Sequence, residues 1–360
     1  MKTKLSLIAL AMSVTLGLSA CSDNTTKDAK EAKVSKDMHQ GYSETADLYE
    51  VDGWVISNND LHANLWNPRG KTEEQILQRA QFLTESYDLV ISPEQKARAL
   101  QAKDKYKGAI AINSVMIGAT GIVGTESEHL AKGLKRNLEE GMTLTSVTAY
   151  AFPGDGPEDI LKRLEDSIPV IEELGMILVK NVDDIRRAKV EGKLAVVFNS
   201  QGADYAIDNF NMMEQVKSQG LLISGFTYNN DSALAGGGSK QTSGITDLGK
   251  QWVEQMNRLN LVVDCSHASN QTCIDAAKHS TRPVIASHSP AHALNKVNRN
   301  ITDEAMIAIG ESGGAVCTTG VGLFLNDKGD ASPEAFAKHV EYTGKLIGRD
   351  KTCFSTDYMH

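Results

Sequence analysis

Residues 261–288 read LVVDCSHASNQTCIDAAKHSTRPVIASH. An apolar, β-branched run ends in Asp264, Ser266 and His267, a helical pattern (NQTCIDAAKHS) follows, and a second apolar run ends in Ser287 and His288. Runs this apolar imply strands buried on both faces, as in a parallel sheet covered by helices. The same unit recurs in both directions. Runs rich in Val, Ile and Thr stand at 109–118, 144–152, 194–200, 222–229, 261–267, 283–288, 314–320 and 351–357. Amphipathic patterns such as EHLAKGLKRNLEEG and TDLGKQWVEQMNRLN lie between them. Eight β units with helical crossovers predict an α/β fold, a (β/α)8 TIM-like barrel of the metal-dependent hydrolase type. A doubly wound open sheet is the alternative, weakened because no GxGxxG follows the first run. No helix pattern follows the eighth run. Either a helix predicted over 92–107, with Ser92 at its N-cap and Pro93 at its first position, covers the outside of strands 8 and 1, or the sequence is a truncated product.

The chain has 360 residues, 41% hydrophobic and 23% charged, enough for a large core and against intrinsic disorder. A formal charge of −9 with no basic stripe, and only 6% aromatic residues, exclude a nucleic-acid partner. The N-terminus is a targeting segment. Lys2 and Lys4 precede an apolar stretch too short to span comfortably, which runs into L-S-A-C at Cys21. This resembles a bacterial lipoprotein signal, with Cys21 the lipidated residue and the outer membrane, facing the periplasm, as the address. Losing Lys2 and Lys4 takes the formal charge from −9 to −11. The predicted organisation is a signal peptide over 1–21, a polar tether over 22–49, an N-terminal helical segment over 50–108 and the barrel over 109–360. Cys265, Cys273, Cys317 and Cys353 show no CxxC pairing; three lie in strand-like runs, so buried free thiols are expected.

In such a barrel functional side chains project from the C-terminal ends of strands. His267, His288 and Asp357 stand there, at the ends of runs five, six and eight. Two imidazoles and a carboxylate suit zinc or a similar divalent ion. Other residues read more blandly. Gly236, Gly237 and Gly238 form a flexible loop rather than a phosphate cradle, and His279, His292 and His339 read as surface positions on helices. Neither Ser266 nor Ser287 lies in a Gly-x-Ser-x-Gly elbow.

SHAS at 266–269, ASHSPAHAL at 286–294, NRNITDEAMIAIGESGGAV at 298–316 and STD at 355–357 resemble the membrane (renal-type) dipeptidase family of the amidohydrolase superfamily. The resemblance covers about residues 92–357 and is specific from about 192 onward. It implies dipeptide hydrolysis by two bridged zinc ions in a (β/α)8 barrel. It assigns His267 and His288 to one metal, Asp357 to the other, and Arg299 to the substrate carboxylate; Tyr228 takes the place of a substrate-contacting His. The departures are as informative. Val115 and Ile117 stand where the family has its first-strand His-x-Asp, and Gln201 where it has the bridging Glu. A neutral amide cannot bridge two dications. The reading is therefore a hydrolase of dipeptides or similar carboxylated amides with one ion, Zn2+ or another divalent metal. His267, His288 and Gln201, with Asp357 close by, would hold it, and Asp357 would accept the proton. Asp60 and His62, in NNDLHANLW, read as a surface segment. The alternative is a catalytically degenerate barrel that binds a periplasmic ligand; a homodimer is a further expectation from the family.

Overall fold

The computed structural model describes residues 48–51, 54–57, 93–116, 118–122, 125–150, 156–327 and 331–357. Strands β1 (Leu48–Val51) and β2 (Trp54–Ser57) form an antiparallel hairpin, and α1 (Pro93–Lys105) follows. The rest alternates strand and helix. The strands are β3 (Ile112–Asn113), β4 (Leu144–Tyr150), β5 (Ile177–Leu178), β6 (Ala195–Ser200), β7 (Leu221–Gly225), β8 (Val262–Asp264), β9 (Val284–Ile285), β10 (Val316–Thr319) and β11 (Thr352–Ser355). The helices are α2 (Ser127–Glu139), α3 (Pro157–Glu173), α4 (Val182–Glu191), α5 (Met212–Ser218), α6 (Asp247–Leu259), α7 (Asn270–His279), α8 (Asp303–Glu311), α9 (Gly322–Leu325) and α10 (Pro333–Ile347).

Strands β3, β4, β6, β7, β8 and β9 pair in that order, all parallel, and β10 pairs parallel with β11. Backbone hydrogen bonds join the two sets. Cys317 N donates to Ala286 O (2.8 Å) and Ser289 N to Cys317 O (2.8 Å) across β9 and β10. Ser114 N donates to Phe354 O (3.3 Å) and Asp357 N to Val115 O (3.1 Å) across β11 and β3. The eight predicted runs are thus the eight staves of one barrel, and β5 is an extra strand beside the start of β6. This puts the ends of β8, β9 and β11 at one mouth.

The helices seat on the barrel through stripes at helical spacing. In α6, Trp252, Val253, Met256 and Leu259 are buried, and Trp252 meets Phe226 with ring centroids 4.7 Å apart. Thr246 caps this helix by accepting from Gly249 N (3.0 Å), one of the donors a helix start leaves unpaired.

Three expectations are corrected. The described side chains of α1 are exposed throughout, so it does not cover the outer face of β11 and β3; Ile110 and Ile112 stay 47% and 39% exposed there. The four cysteines are paired, Cys265 with Cys273 and Cys317 with Cys353. Parallel register sets Cys317 directly opposite Cys353, and Cys273 lies on the first turn of the helix that leaves β8, a proximity that spacing along the chain does not reveal. The glycine loop is packed rather than flexible. A Cβ on Gly237 would lie 2.3 Å from Asn229 O, so only glycine lets these backbones approach. Among the described residues, no helix is long and apolar enough to cross a membrane.

Candidate active site

The site begins with Asp264, the last residue of β8. Its Oδ1 accepts from Ser266 N (2.9 Å) and Ser287 N (3.0 Å), and its Oδ2 accepts from the Ser287 hydroxyl. One buried carboxylate therefore fixes the ends of two neighbouring strands. Ser287 Oγ lies 2.6 Å from His288 Nδ1, and His288 N donates to Ser266 Oγ (3.0 Å). On the other side, His267 Nδ1 lies 2.7 Å from Asn229 Oδ1. Both imidazoles are thereby turned so that their Nε2 atoms face each other at 2.8 Å. The Tyr228 ring stacks on His267 at 4.3 Å. His267 (φ 67°), Asn229 (φ 65°) and Asp357 (φ 50°) all adopt left-handed backbone, a conformation that costs non-glycine residues energy and clusters at functional sites.

Arg299 sits across this mouth, buried, with Nη1 donating to Ser289 Oγ (2.9 Å) and the guanidinium 5.6 Å from the Phe324 ring. Among the described residues, its Nε and Nη2 are buried without a hydrogen-bond partner. Those two donors form one edge of the guanidinium, the geometry a carboxylate fills bidentately. Asp357 accepts from Thr319 Oγ1 (3.1 Å). Burial pushes its carboxyl up from the ordinary value, against the pull of Arg299 and of the Thr319 hydroxyl. Tyr228 is pushed up to about 12, first by burial and then by Asp357, so its hydroxyl keeps its proton at neutral pH. His288 is held well below 6.5 by burial and by Arg299, and is neutral.

The structure thus gathers His267, His288, Arg299, Tyr228 and Asp357 at one mouth, but not in one coordination group. Among the described residues no three His, Cys, Asp or Glu side chains converge closely enough to hold an ion. Asp357 was expected beside the imidazoles as a ligand; the Thr319 hydroxyl and the Arg299 field hold its carboxylate instead. Gln201 is buried, and its Nε2 donates to Thr148 Oγ1 (3.1 Å) in a neutral ladder that continues through Asn199 to Ser146. Val115 is buried and apolar. Ile117, Asp60, His62 and Cys21 lie outside the described residues.

Both Nδ1 atoms are occupied by hydrogen bonds, the outer contacts that orient metal-ligating histidines, so the two Nε2 atoms are the donors that would face an ion here. The strong donors number two, against the three of a catalytic zinc site.

Sequence reading missed Asn229 and Ser287 as the groups that orient the imidazoles, and Ser289 and Phe324 as the neighbours of Arg299. Asp264 and Ser287 were visible at strand ends, but only register shows that one serves the other. It also misplaced His339, which is buried; His279 and His292 are half-buried. His339 Nδ1 accepts from Ala291 N (3.0 Å) and Nε2 donates to Leu325 O (2.8 Å), which pins the loop before Arg299 to α9, the helix of Phe324. These bonds require the neutral ring. Burial lowers its pKa below 6.5, so the unfolded state binds the proton more readily. The stabilisation is complete above the unfolded value and is lost as pH falls toward the folded one, at no more than about 1.4 kcal/mol per pH unit. The melting temperature is expected to drop between pH 7.5 and 5, and His339→Gln to flatten that slope. An unchanged slope would show that other groups set it.

The family model for membrane dipeptidases (peptidase family M19) matches residues 126–360, more than half of the chain. This chain belongs to that family. A relative from Klebsiella pneumoniae, an uncharacterized protein in the pqqA 5′ region, is 29% identical over 225 residues, spanning 58% of this chain and 82% of that protein. Two crystal structures from Pseudomonas aeruginosa share the fold. An amidohydrolase is 24% identical with a TM-score of 0.65, covering 71% of this chain and 76% of its own. The probable dipeptidase PvdM is 19% identical with a TM-score of 0.61, covering 72% and 86%. Membership makes the chain a dipeptidase-like hydrolase on a (β/α)8 barrel.

Proposed function

We propose that this membrane dipeptidase family member cleaves dipeptides or similar small amides that carry a free carboxylate, with one divalent ion rather than two. The observation that carries the reading is the open edge of Arg299, two buried donors without partners beside Asp357 and Tyr228. Burying a guanidinium that way is costly unless a ligand completes it.

Arg299 binds the carboxylate and orients the substrate against the imidazole pair. Asp357, its carboxyl shifted upward, takes the proton from the attacking water and returns it to the leaving amine. Tyr228, still protonated, donates a hydrogen bond toward the substrate. His267 and His288, with the Gln201 carbonyl as a weak third donor, would hold the ion, zinc by analogy with the family. When bound, it polarises the scissile carbonyl and lowers the pKa of its water. Asp264 and Ser287 keep His288 in place throughout.

A second reading has its own observation. Apolar Val115 and the self-satisfied Gln201 ladder leave a site that binds the same ligands without turning them over. The lipid anchor at Cys21 is also proposed, and the two disulfides support a cell-envelope address, because disulfides persist in oxidising compartments.

Alanyl-alanine and its C-terminal amide, each with and without added zinc, test these readings. Cleavage of the free acid alone, dependent on zinc, supports the hydrolase. Tight binding of the free acid without cleavage supports the second reading. Equal handling of acid and amide defeats both.

A further inference from the structure

Gln241 lies in the loop between β7 and α6, with left-handed backbone (φ 57°). Its side-chain amide uses all the hydrogen bonds a primary amide can make. Nε2 donates to Gly238 O (3.1 Å) and to Asn298 O (2.8 Å); Oε1 accepts from Asn270 N (2.8 Å) and Asn270 Nδ2 (3.0 Å). These partners belong to the three loops that carry the site. Asn298 immediately precedes Arg299, and its own Nδ2 returns to Ser239 O (2.9 Å). Gly238 N donates to His267 O (2.7 Å), and Ser239 N to Asn229 O (2.8 Å). Asn270 opens α7, just after His267, and its Oδ1 accepts from Thr302 N (2.8 Å) at the start of α8. One neutral side chain therefore ties the residue before the carboxylate-binding arginine to Asn270 and to Gly238, whose own backbone N–H reaches His267 O.

We propose that Gln241 is a positioning residue, which sets Arg299 at a fixed distance from the imidazole pair and thereby creates the preference for a substrate carboxylate. This rests on the reading of Arg299 as the carboxylate anchor. Among the described residues the Arg299 side chain has one hydrogen bond of its own, to Ser289, so its placement depends on the loop behind it. The loop in turn is tied to the rest of the mouth through Asn298.

The test uses the full chain and three substitutions. Gln241→Glu keeps the size and the acceptor facing Asn270, but turns an oxygen toward two carbonyls. Gln241→Met removes all four bonds. Asn270→Ser removes one of the four, together with the bond from Thr302 N to the Asn270 side chain. Calorimetry measures the dissociation constants of alanyl-alanine and alanyl-alaninamide for each. The ratio of the two constants is expected to shrink about tenfold in Gln241→Met, as for loss of a hydrogen bond that places a charge, and further in Gln241→Glu. Affinity for the amide is expected to hold within about twofold, as for a probe that makes no charged contact with Arg299. A general structural role would weaken both probes together. An unchanged ratio in folded variants overturns the proposal, and so does a set that unfolds throughout, since the amide then serves the fold. Should the wild type itself not favour the free acid, the anchor reading fails first. Should Arg299→Met abolish the preference while the Gln241 variants keep it, only the positioning role fails.

Discussion

Arg299→Met is expected to abolish discrimination between a dipeptide and its C-terminal amide while leaving the melting temperature no lower than in the wild type. The two halves of that expectation share one cause. The guanidinium is buried, one nitrogen reaches Ser289, and two others have no partner among the described residues. Burial opposes its charge, and Asp357 offsets only part of that cost. In the free protein the group is therefore a liability, and an unbranched apolar side chain of similar length removes it. With a carboxylate bound, the same two donors form charge-assisted hydrogen bonds worth about 1.5–3 kcal/mol each. Losing both, about 3–6 kcal/mol, corresponds to roughly a hundredfold to twenty-thousandfold weaker binding of the free acid. Arg299→Lys keeps the charge but not the fork, and is expected to fall between. A binding assay paired with a thermal melt reads both halves. A variant that melts earlier and still prefers the free acid would make Arg299 a structural residue.

The eight-stave barrel was legible because each strand run is apolar, and the helices between them repeat at amphipathic spacing. The positions of His267, His288 and Asp357 at one mouth follow from that pattern, since strand ends of a parallel barrel share a rim. Three kinds of fact were out of reach. The partnership of Cys317 with Cys353 depends on the register of β10 against β11, which leaves no local trace. The burial of His339 depends on two backbone groups, Ala291 N and Leu325 O, brought in by loops far from it in sequence. Gln241 looks like any polar loop residue until its four partners are in place. A helix pattern also misled: α1 forms where capping and spacing predict it, yet it packs on nothing that those signals encode. Local signals fix whether an element forms, and tertiary contacts decide what it covers.

The second large effect concerns the imidazole pair. His267→Asn is expected to remove bound divalent metal from the purified protein, and with it zinc-dependent hydrolysis, while the fold persists. Asparagine is the apt replacement because position 267 has φ 67°, and Asn tolerates left-handed backbone better than most residues. It also avoids the strain that alanine would bring there. The size of the effect follows from counting donors. A site with three strong ligands keeps two when one is lost; this site would keep only His288. Already in the wild type, affinity is expected to be weak enough that a chelator strips the ion within a short dialysis, and zinc to restore it at no more than one equivalent per chain. In His267→Asn, metal analysis after incubation with one equivalent of zinc is expected to find none retained. Gln201→Glu moves the other way: an anionic oxygen in place of the amide turns the weak third donor into a strong one, and retention after dialysis is expected to rise. Two equivalents of tightly held zinc in the wild type would overturn the single-ion reading, because no second donor group exists among the described residues to hold the other.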